Sequence, residues 1–196
     1  MSKKLLYVDA CVNRDTSRTE RLAQALLKRL LETGDYELET LVLEDVDVEP
    51  LDGTRLNRRT AAVEASDFGD PIFDYAKQFA AVDEVLIAAP YWDFSFPAKL
   101  KAYFELLCAQ GVTFYYSPEG IPTGLCKAKR VWYVTTVGGY AGEYDYGLMQ
   151  VEALCKLYFG IDDVRSFRAE GLDIITNDAD AIMAEALDVI AKADLS

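Results

Sequence analysis

IAAPYWDFSFPAKLKAYFELL, residues 87–107, joins an apolar run to an amphipathic segment through a turn rich in aromatic residues. Pro90 stops the apolar run, and Pro97 suits the first turn of a helix, where its missing N–H group costs nothing. Apolar residues then recur at helical spacing, at Leu100, Tyr103, Phe104, Leu107 and Cys108. The stretch therefore predicts a strand, a stiff turn and a helix, which is the repeating unit of an α/β fold.

The same alternation of strand and helix extends along the whole chain. Continuous apolar runs at 5–8, 85–89 and 131–134 suit strands that are covered on both faces. The segments 36–43 and 164–170 alternate between apolar and polar residues and suit the edges of a sheet. Right-handed crossovers between parallel strands then give an open sheet with helices on both faces.

Charged residues on the second strand favour one strand order. Glu37 and Glu39 argue against the order 3-2-1-4-5, which would bury that strand. We therefore predict an α/β fold with three layers, in which a doubly wound, parallel five-stranded sheet has the order 2-1-3-4-5. We expect one domain over residues 1–196, with the polar segment 46–70 as a partly helical excursion. Ligands of such folds bind beyond the carboxyl ends of the strands.

Composition excludes several classes of function. The 196 residues include no histidine, so Ser-His-Asp and Cys-His nucleophile systems and His-ligated metals are ruled out. The four cysteines show neither a CxxC pair nor metal-ligand spacing, so we expect no metal site. A net charge of −13 opposes binding to nucleic acid, and no apolar run reaches membrane-spanning length. Because no signal-like segment precedes the first strand, we expect a soluble, cytoplasmic protein. Because histidine is missing, we expect that any chemistry comes from a cofactor.

The loop after the first strand, DACVNRDTSRTERLA, leads into the first helix. Ser17 and Glu20 form a Ser-x-x-Glu capping box, which predicts that the helix begins at Ser17 or Arg18. The loop is compatible with a well-capped helix alone and also with a phosphate site, because a helix N-terminus offers free N–H groups and partial positive charge. Neither a P-loop nor a dinucleotide fingerprint is present, so a monophosphate would suit the loop better.

Two further loops would lie at the same edge of the sheet. The aromatic turn 91–96 could be a hydrophobic plug, or it could be a wall for a flat ring with backbone N–H groups directed at the polar edge of that ring. In TTVGGYAGEYDYG, Gly138 and Gly139 follow the fourth strand. Paired glycines allow a ligand to approach the backbone closely, although they also occur in ordinary turns.

The string APYWDFSFPAKLKAYFELLCAQGVTFYYSPEGIPTGLCKAKRVWYVTTVGG, residues 89–139, resembles the flavodoxin-like FMN-dependent NADH-azoreductases and NAD(P)H:quinone oxidoreductases. The resemblance covers nearly the whole chain. It implies a flavodoxin-like fold and an FMN that takes a hydride at N5 from NADH or NADPH. In the family FMN then passes electrons to a quinone or azo compound in a ping-pong cycle. The family's enzymes are homodimers with the active site at the subunit interface, and GVTFYYSPEGIPTGL resembles the segment near that site.

The resemblance also implies which residues bind FMN, whereas it leaves the catalytic residues unassigned. The phosphate-binding positions match Cys11, Ser17, Arg18 and Thr19. The turn that faces the isoalloxazine matches Tyr91, Trp92, Asp93 and Phe94. The loop along the pyrimidine side matches Thr136, Val137, Gly138 and Gly139.

Two departures from the family pattern concern this site. Cys11 stands where the family usually has Ser, which weakens one hydrogen bond to the phosphate. Trp92 and Asp93 stand where the family often has Tyr-Asn. An ionised Asp can accept from the flavin N3–H but cannot donate to a carbonyl oxygen, and its charge disfavours an anionic reduced flavin.

Three alternatives stay open at this point. A one-electron carrier like the true flavodoxins is disfavoured because the first loop lacks their T-x-T-G-x-T pattern. A flavin-free receiver domain is disfavoured because Ala88, Ala89 and Pro90 occupy the end of the third strand, where a receiver needs an acceptor Asp. The third alternative is a relative that keeps FMN but has a sensory role or a specialised substrate. Such a protein would be distinguished from a quinone reductase or azoreductase by poor turnover with generic quinones and azo dyes.

Overall fold

The computed structural model describes residues 2–196, which contain seven strands and six α-helices. The strands are β1 (Lys3–Asp9), β2 (Tyr36–Val42), β3 (Glu84–Ala88), β4 (Phe114–Tyr116), β5 (Pro122–Gly124), β6 (Arg130–Thr136) and β7 (Asp163–Ala169). The helices are α1 (Arg18–Thr33), α2 (Gly53–Glu64), α3 (Asp74–Ala81), α4 (Ala98–Leu107), α5 (Tyr146–Leu154) and α6 (Ala179–Lys192). In this part of the chain, no helix combines the length and the apolar character that crossing a membrane requires.

Five parallel strands form the main sheet, in the order β2-β1-β3-β6-β7. The predicted numbering 2-1-3-4-5 is not that of the structure, because an antiparallel hairpin of β4 and β5 lies in the chain between β3 and β6. The strands predicted to be edges, β2 and β7, do lie at the edges. The alternating polar residues of these two strands therefore face solvent on one side of the sheet.

Each face of the sheet has its own hydrophobic core, because successive side chains of a strand point to opposite faces. Leu5 and Tyr7 of β1 join the cluster that contains buried residues of α1 and α6. Leu6 and Val8 join the other cluster, which includes residues of α3, α4 and α5. The helices therefore form one layer on each side of the sheet.

The start of α1 agrees with the capping pattern, but only half of the capping box forms. Ser17 is the N-cap, and its Oγ accepts from the Glu20 N–H at 3.1 Å. The Glu20 carboxylate does not return to Ser17, because it accepts from the Tyr7 hydroxyl and from Gln24 Nε2. The Ser17 N–H donates instead to the Arg14 carbonyl at 3.2 Å.

The hairpin packs against the π-helical turn Cys155–Phe159, which continues α5. Gly160 ends that turn in the left-handed conformation, with φ of +73°. A Cβ on Gly124 would lie 2.2 Å from the Gly160 nitrogen. The two backbones can approach this closely because both crossing positions are glycine.

Candidate functional site

Three loops meet at the carboxyl end of the sheet, where they are joined by direct hydrogen bonds. The hydroxyls of Thr19 and Thr136, both buried, lie 2.6 Å apart and connect the start of α1 to the end of β6. The Tyr91 N–H donates to the Thr136 carbonyl at 3.1 Å, which joins the β3–α4 turn to β6. The Tyr146 N–H donates to the Phe94 carbonyl at 3.1 Å and closes the set.

The β1–α1 loop is organised around a buried carboxylate. Asp9 is fully buried and accepts from the Cys11 N–H at 2.8 Å and from Arg14 Nε at 2.6 Å. At the start of α1, the N–H groups of Arg18 and Thr19 have no acceptor within residues 2–196. Free N–H groups of a first helical turn, together with the helix dipole, favour an anion at this position.

Two of the predicted phosphate-binding side chains are directed elsewhere. Cys11 is fully buried and packs in the core cluster of α1 and α6, and burial raises the pKa of its thiol, which stays protonated. Arg18 donates to the Leu172 carbonyl at 3.0 Å and to Asp173 Oδ1 at 2.7 Å. The Arg18 guanidinium is thus held at the β7–α6 loop, so it is the backbone of Arg18, and not its side chain, that lies free at the helix start.

The turn 92–95 is strained and carries unpaired donors. Trp92 and Ser95 exchange backbone hydrogen bonds of 3.0 and 2.7 Å. Between them, Asp93 and Phe94 have φ of +50° and +66°, as in a two-residue type I′ turn. A left-handed conformation costs a residue with a Cβ about 1–2 kcal/mol. The N–H groups of Asp93 and Phe94 have no acceptor in the described chain, so this turn can donate to the polar edge of a ligand.

Aromatic side chains around this turn divide into a buried and an exposed set. Phe96 is 7% exposed and packs in the core, as the interpretation of the turn as a hydrophobic plug requires. Trp92 and Phe94 are 48% and 59% exposed. The Tyr91 hydroxyl donates to the Tyr144 carbonyl at 3.0 Å, and the rings of Phe94 and Tyr144 meet edge to face. The exposed rings are therefore available to a flat ligand.

The two glycines after β6 differ in what surrounds them. A Cβ on Gly138 would lie 2.3 Å from Asp173 Oδ2. Close contact with the β7–α6 loop therefore explains why this position is a glycine. A Cβ on Gly139 would meet nothing within 4 Å. The neighbouring Val137 is buried and donates to the Ala169 carbonyl at 2.9 Å. Of the two glycines, only Gly139 leaves its backbone open to the approach of a ligand.

Sequence reasoning missed two polar residues that organise the site. Asp9 ends the apolar run of β1. A polar residue at the carboxyl end of a buried strand indicates a site residue, because ligands of such folds bind at that end. Asp145 is buried and caps α5, because its Oδ1 accepts from the Leu148 N–H at 2.9 Å. An Asp directly before a helical period is a typical N-cap. The ion pair of Asp145 with Arg168, 3.5 Å apart, joins residues on different elements and has no local sequence signal.

One group of potential metal ligands occurs in residues 2–196, formed by Asp9, Cys11 and Glu20. Asp9 already accepts two hydrogen bonds, and Glu20 accepts from Tyr7. The group therefore acts as a hydrogen-bonded support for the loop.

Comparison with known proteins decides the family. Residues 3–193 match the family described as having a flavodoxin-like fold. The FMN-dependent NADH:quinone oxidoreductase of Clostridium beijerinckii is 33% identical over 188 residues, which is 94% of this chain and 94% of that protein. The chain belongs to this flavodoxin-like oxidoreductase family. The match extends over all three loops at the carboxyl end of the sheet.

Solved structures show the same fold for this flavodoxin-like oxidoreductase. An azoreductase from Bacillus anthracis str. Sterne superposes with a TM-score of 0.86 at 24% identity, over 98% of both chains. An FMN-dependent NADH-azoreductase from Bacillus anthracis str. Ames Ancestor, in complex with FMN, superposes with a TM-score of 0.80 at 22% identity, over 95% of both chains.

Proposed function

We propose that the protein is an FMN-dependent oxidoreductase that transfers electrons from NADH or NADPH to a quinone or azo compound. One observation carries the proposal. The start of α1 and the strained turn 92–95 lie at the same edge of the sheet, and both have free N–H groups. Relatives that cover 94% of the chain and are FMN-dependent NADH:quinone oxidoreductases support it.

The chemistry of the donors fits FMN. The free N–H groups of Arg18 and Thr19 suit a phosphate, even in a chain of net charge −13. The free N–H groups of Asp93 and Phe94 suit the carbonyl oxygens and ring nitrogens of a flavin edge. The exposed faces of Trp92 and Phe94 suit the flat ring system.

The side chains have a positioning role in this proposal. FMN, when bound, would supply the redox chemistry that links the nicotinamide to the acceptor, in the ping-pong cycle that we propose. Trp92 and Phe94 orient the ring system and exclude water from it, while the hydrogen bond from Tyr91 to the Tyr144 carbonyl holds the two loops together. Hydride transfer needs orientation and water exclusion more than acid–base groups, which agrees with a chain that lacks histidine.

The test begins with the purified protein and its chromophore. We expect a yellow protein that releases FMN on denaturation. Anaerobic mixing with NADH or NADPH should bleach the bound flavin, and a small quinone or an azo dye should restore its colour. A one-electron carrier would turn over NADH only with an added reductase. If neither nicotinamide bleaches the flavin, the enzyme proposal is wrong.

We also propose that the protein is a homodimer, located in the cytoplasm. An apolar groove of about 390 Å³ lies between the hairpin and the end of α5, where Tyr116, Pro122 and Leu157 contribute to its walls. Leu157 is 61% exposed and nearby Ile121 is 62% exposed, so they extend the groove into one apolar surface. A second copy would cover this surface.

The oligomeric state is tested by sedimentation and by one pair of variants. Leu157→Glu places a charge in the groove and should weaken the dimer at least tenfold. Ile175→Glu is the matched control, because Ile175 is fully exposed in the β7–α6 loop. A wild-type protein that sediments as a monomer at micromolar concentration contradicts the dimer.

A further inference from the structure

The turn 92–95 carries a charge whose role the proposed function does not explain. Within residues 2–196 the Asp93 carboxylate has neither an ion-pair partner nor a hydrogen-bond donor. Two carboxylates of neighbouring loops are, by contrast, paired with arginine. Asp173 lies 2.7 Å from Arg18, and Asp145 lies 3.5 Å from Arg168.

The fold holds this carboxylate close to the turn. Asp93 is the first central residue of the type I′ turn, with φ of +50°, and its neighbours are the exposed Trp92 and Phe94. The side chain of Asp is short, so the charge cannot move far from the two free N–H groups of the turn. Any ring system that these N–H groups bind therefore lies near an uncompensated negative charge.

We propose that Asp93 lowers the reduction potential of the bound flavin, an inference that rests on the proposed function. A hydride from NADH brings two electrons and one proton to FMN, leaving NAD⁺ and a reduced flavin with one more negative charge. The unpaired carboxylate repels that added charge and so weakens the binding of reduced FMN more than that of oxidised FMN. The reduced protein can then donate to acceptors of lower potential.

The experiment compares the dissociation constants of oxidised and reduced FMN for the wild type and for Asp93→Asn. Asn tolerates the left-handed conformation as well as Asp does, so the turn is kept. The substitution should strengthen the binding of reduced FMN relative to oxidised FMN about tenfold, which for a two-electron couple raises the potential by about 30 mV. Asp93→Gly, which is also uncharged and suited to positive φ, should shift the ratio in the same direction.

Glu37→Gln is the matched control. Glu37 is an exposed residue of edge strand β2, near its amino end, so this variant removes the same net charge far from the turn. We expect it to change the ratio of dissociation constants less than twofold. The effect of Asp93→Asn should shrink as ionic strength rises, because exposed charges are screened by salt.

The outcomes separate the two proposals. If the wild-type protein binds no FMN, both the proposed function and the role of Asp93 are wrong. If the wild type binds FMN but Asp93→Asn moves the ratio less than twofold, or no more than Glu37→Gln does, only the role of Asp93 is overturned.

Discussion

The two ends of the main sheet differ in whether their polar groups have hydrogen-bond partners. At the amino end, the buried carboxylate of Glu84 accepts from Trp132 Nε1 at 2.9 Å and from the Tyr36 hydroxyl at 2.8 Å. At the carboxyl end, the N–H groups of Asp93 and Phe94 have no acceptor in the described chain, and both residues are strained. The amino end is thus a closed end whose satisfied polar groups contribute stability, whereas the carboxyl end is an open end that keeps binding capacity at the expense of stability.

The closing segment of the chain completes the amino end. Arg29, Arg130 and Arg165 donate to backbone carbonyls between Ile190 and Ser196. Arg130 also lies over the ring of the buried Trp132, 5.0 Å from its centroid. Hydrogen bonds from charged donors are the stronger kind, so this end of the molecule should be the more rigid one.

Breaking the closed end should have the largest effect. Glu84→Ala leaves the buried indole N–H of Trp132 and the Tyr36 hydroxyl without their acceptor, and should lower the free energy of unfolding by about 3 kcal/mol. Urea denaturation measures this. Glu37→Ala, at an exposed position of the same region, should change it by less than about 0.5 kcal/mol. Equal losses of unfolding free energy in the two variants, or a large change in FMN affinity for Glu84→Ala, would contradict the idea that the amino end contributes stability and not binding.

Breaking the link between two loops of the open end should have a smaller effect. Thr136→Val leaves the buried Thr19 hydroxyl unpaired and should cost about 1–2 kcal/mol. The double variant Thr19→Val, Thr136→Val removes both partners, so its loss should be less than the sum of the two single losses. Strict additivity in this double-mutant cycle would show that the hydroxyls do not interact.

Relieving the strain of the open end should change stability in the opposite direction. Phe94→Gly removes a Cβ from a left-handed position, so it should raise the free energy of unfolding without FMN by about 1 kcal/mol. The same variant loses an exposed ring and should bind FMN about tenfold more weakly. Phe104→Leu in the buried helix α4 is the control and should be destabilising. A Phe94→Gly protein that is less stable than the wild type would refute the idea of stored strain.

The smallest effect concerns the pH dependence of the closed end. Burial opposes ionisation of Asp163, but hydrogen bonds from Arg165 and Arg130 outweigh it and lower its pKa. Because the folded-state pKa is the lower one, this contribution to stability is present above the unfolded pKa of about 4 and is lost as pH falls through the folded pKa. Asp163 is partly exposed, so the contribution should be below about 1 kcal/mol.

Urea midpoints at several pH values measure that contribution. The difference in stability between the wild type and Asp163→Asn should be present near neutral pH and shrink as the solution is acidified below about pH 4. Asp162→Asn is the control, because Asp162 is the exposed neighbour. A difference that grows on acidification would show that the sign of the pKa shift is wrong.

Local patterns in the sequence predicted most of the fold and the places of the site loops. Apolar runs predicted the three central strands of the main sheet, alternating segments predicted the two edge strands, and Ser17 predicted the start of α1. The hairpin was missed because strands of three residues are too short for a periodic pattern, and because Gly124 meets its partner Gly160 only in the folded chain. That the twelve predicted residues bind FMN stays a prediction.

Short-range periodicity and turn chemistry in the sequence thus encode the strands and the helix starts, and the string 89–139 carries the resemblance to the family. Tertiary structure alone decided that Arg18 pairs with Asp173, that Cys11 is buried and that Asp93 stays unpaired. Such contacts join residues that are far apart along the chain. Arg18 and Asp173 are 155 residues apart, so no local pattern records their contact.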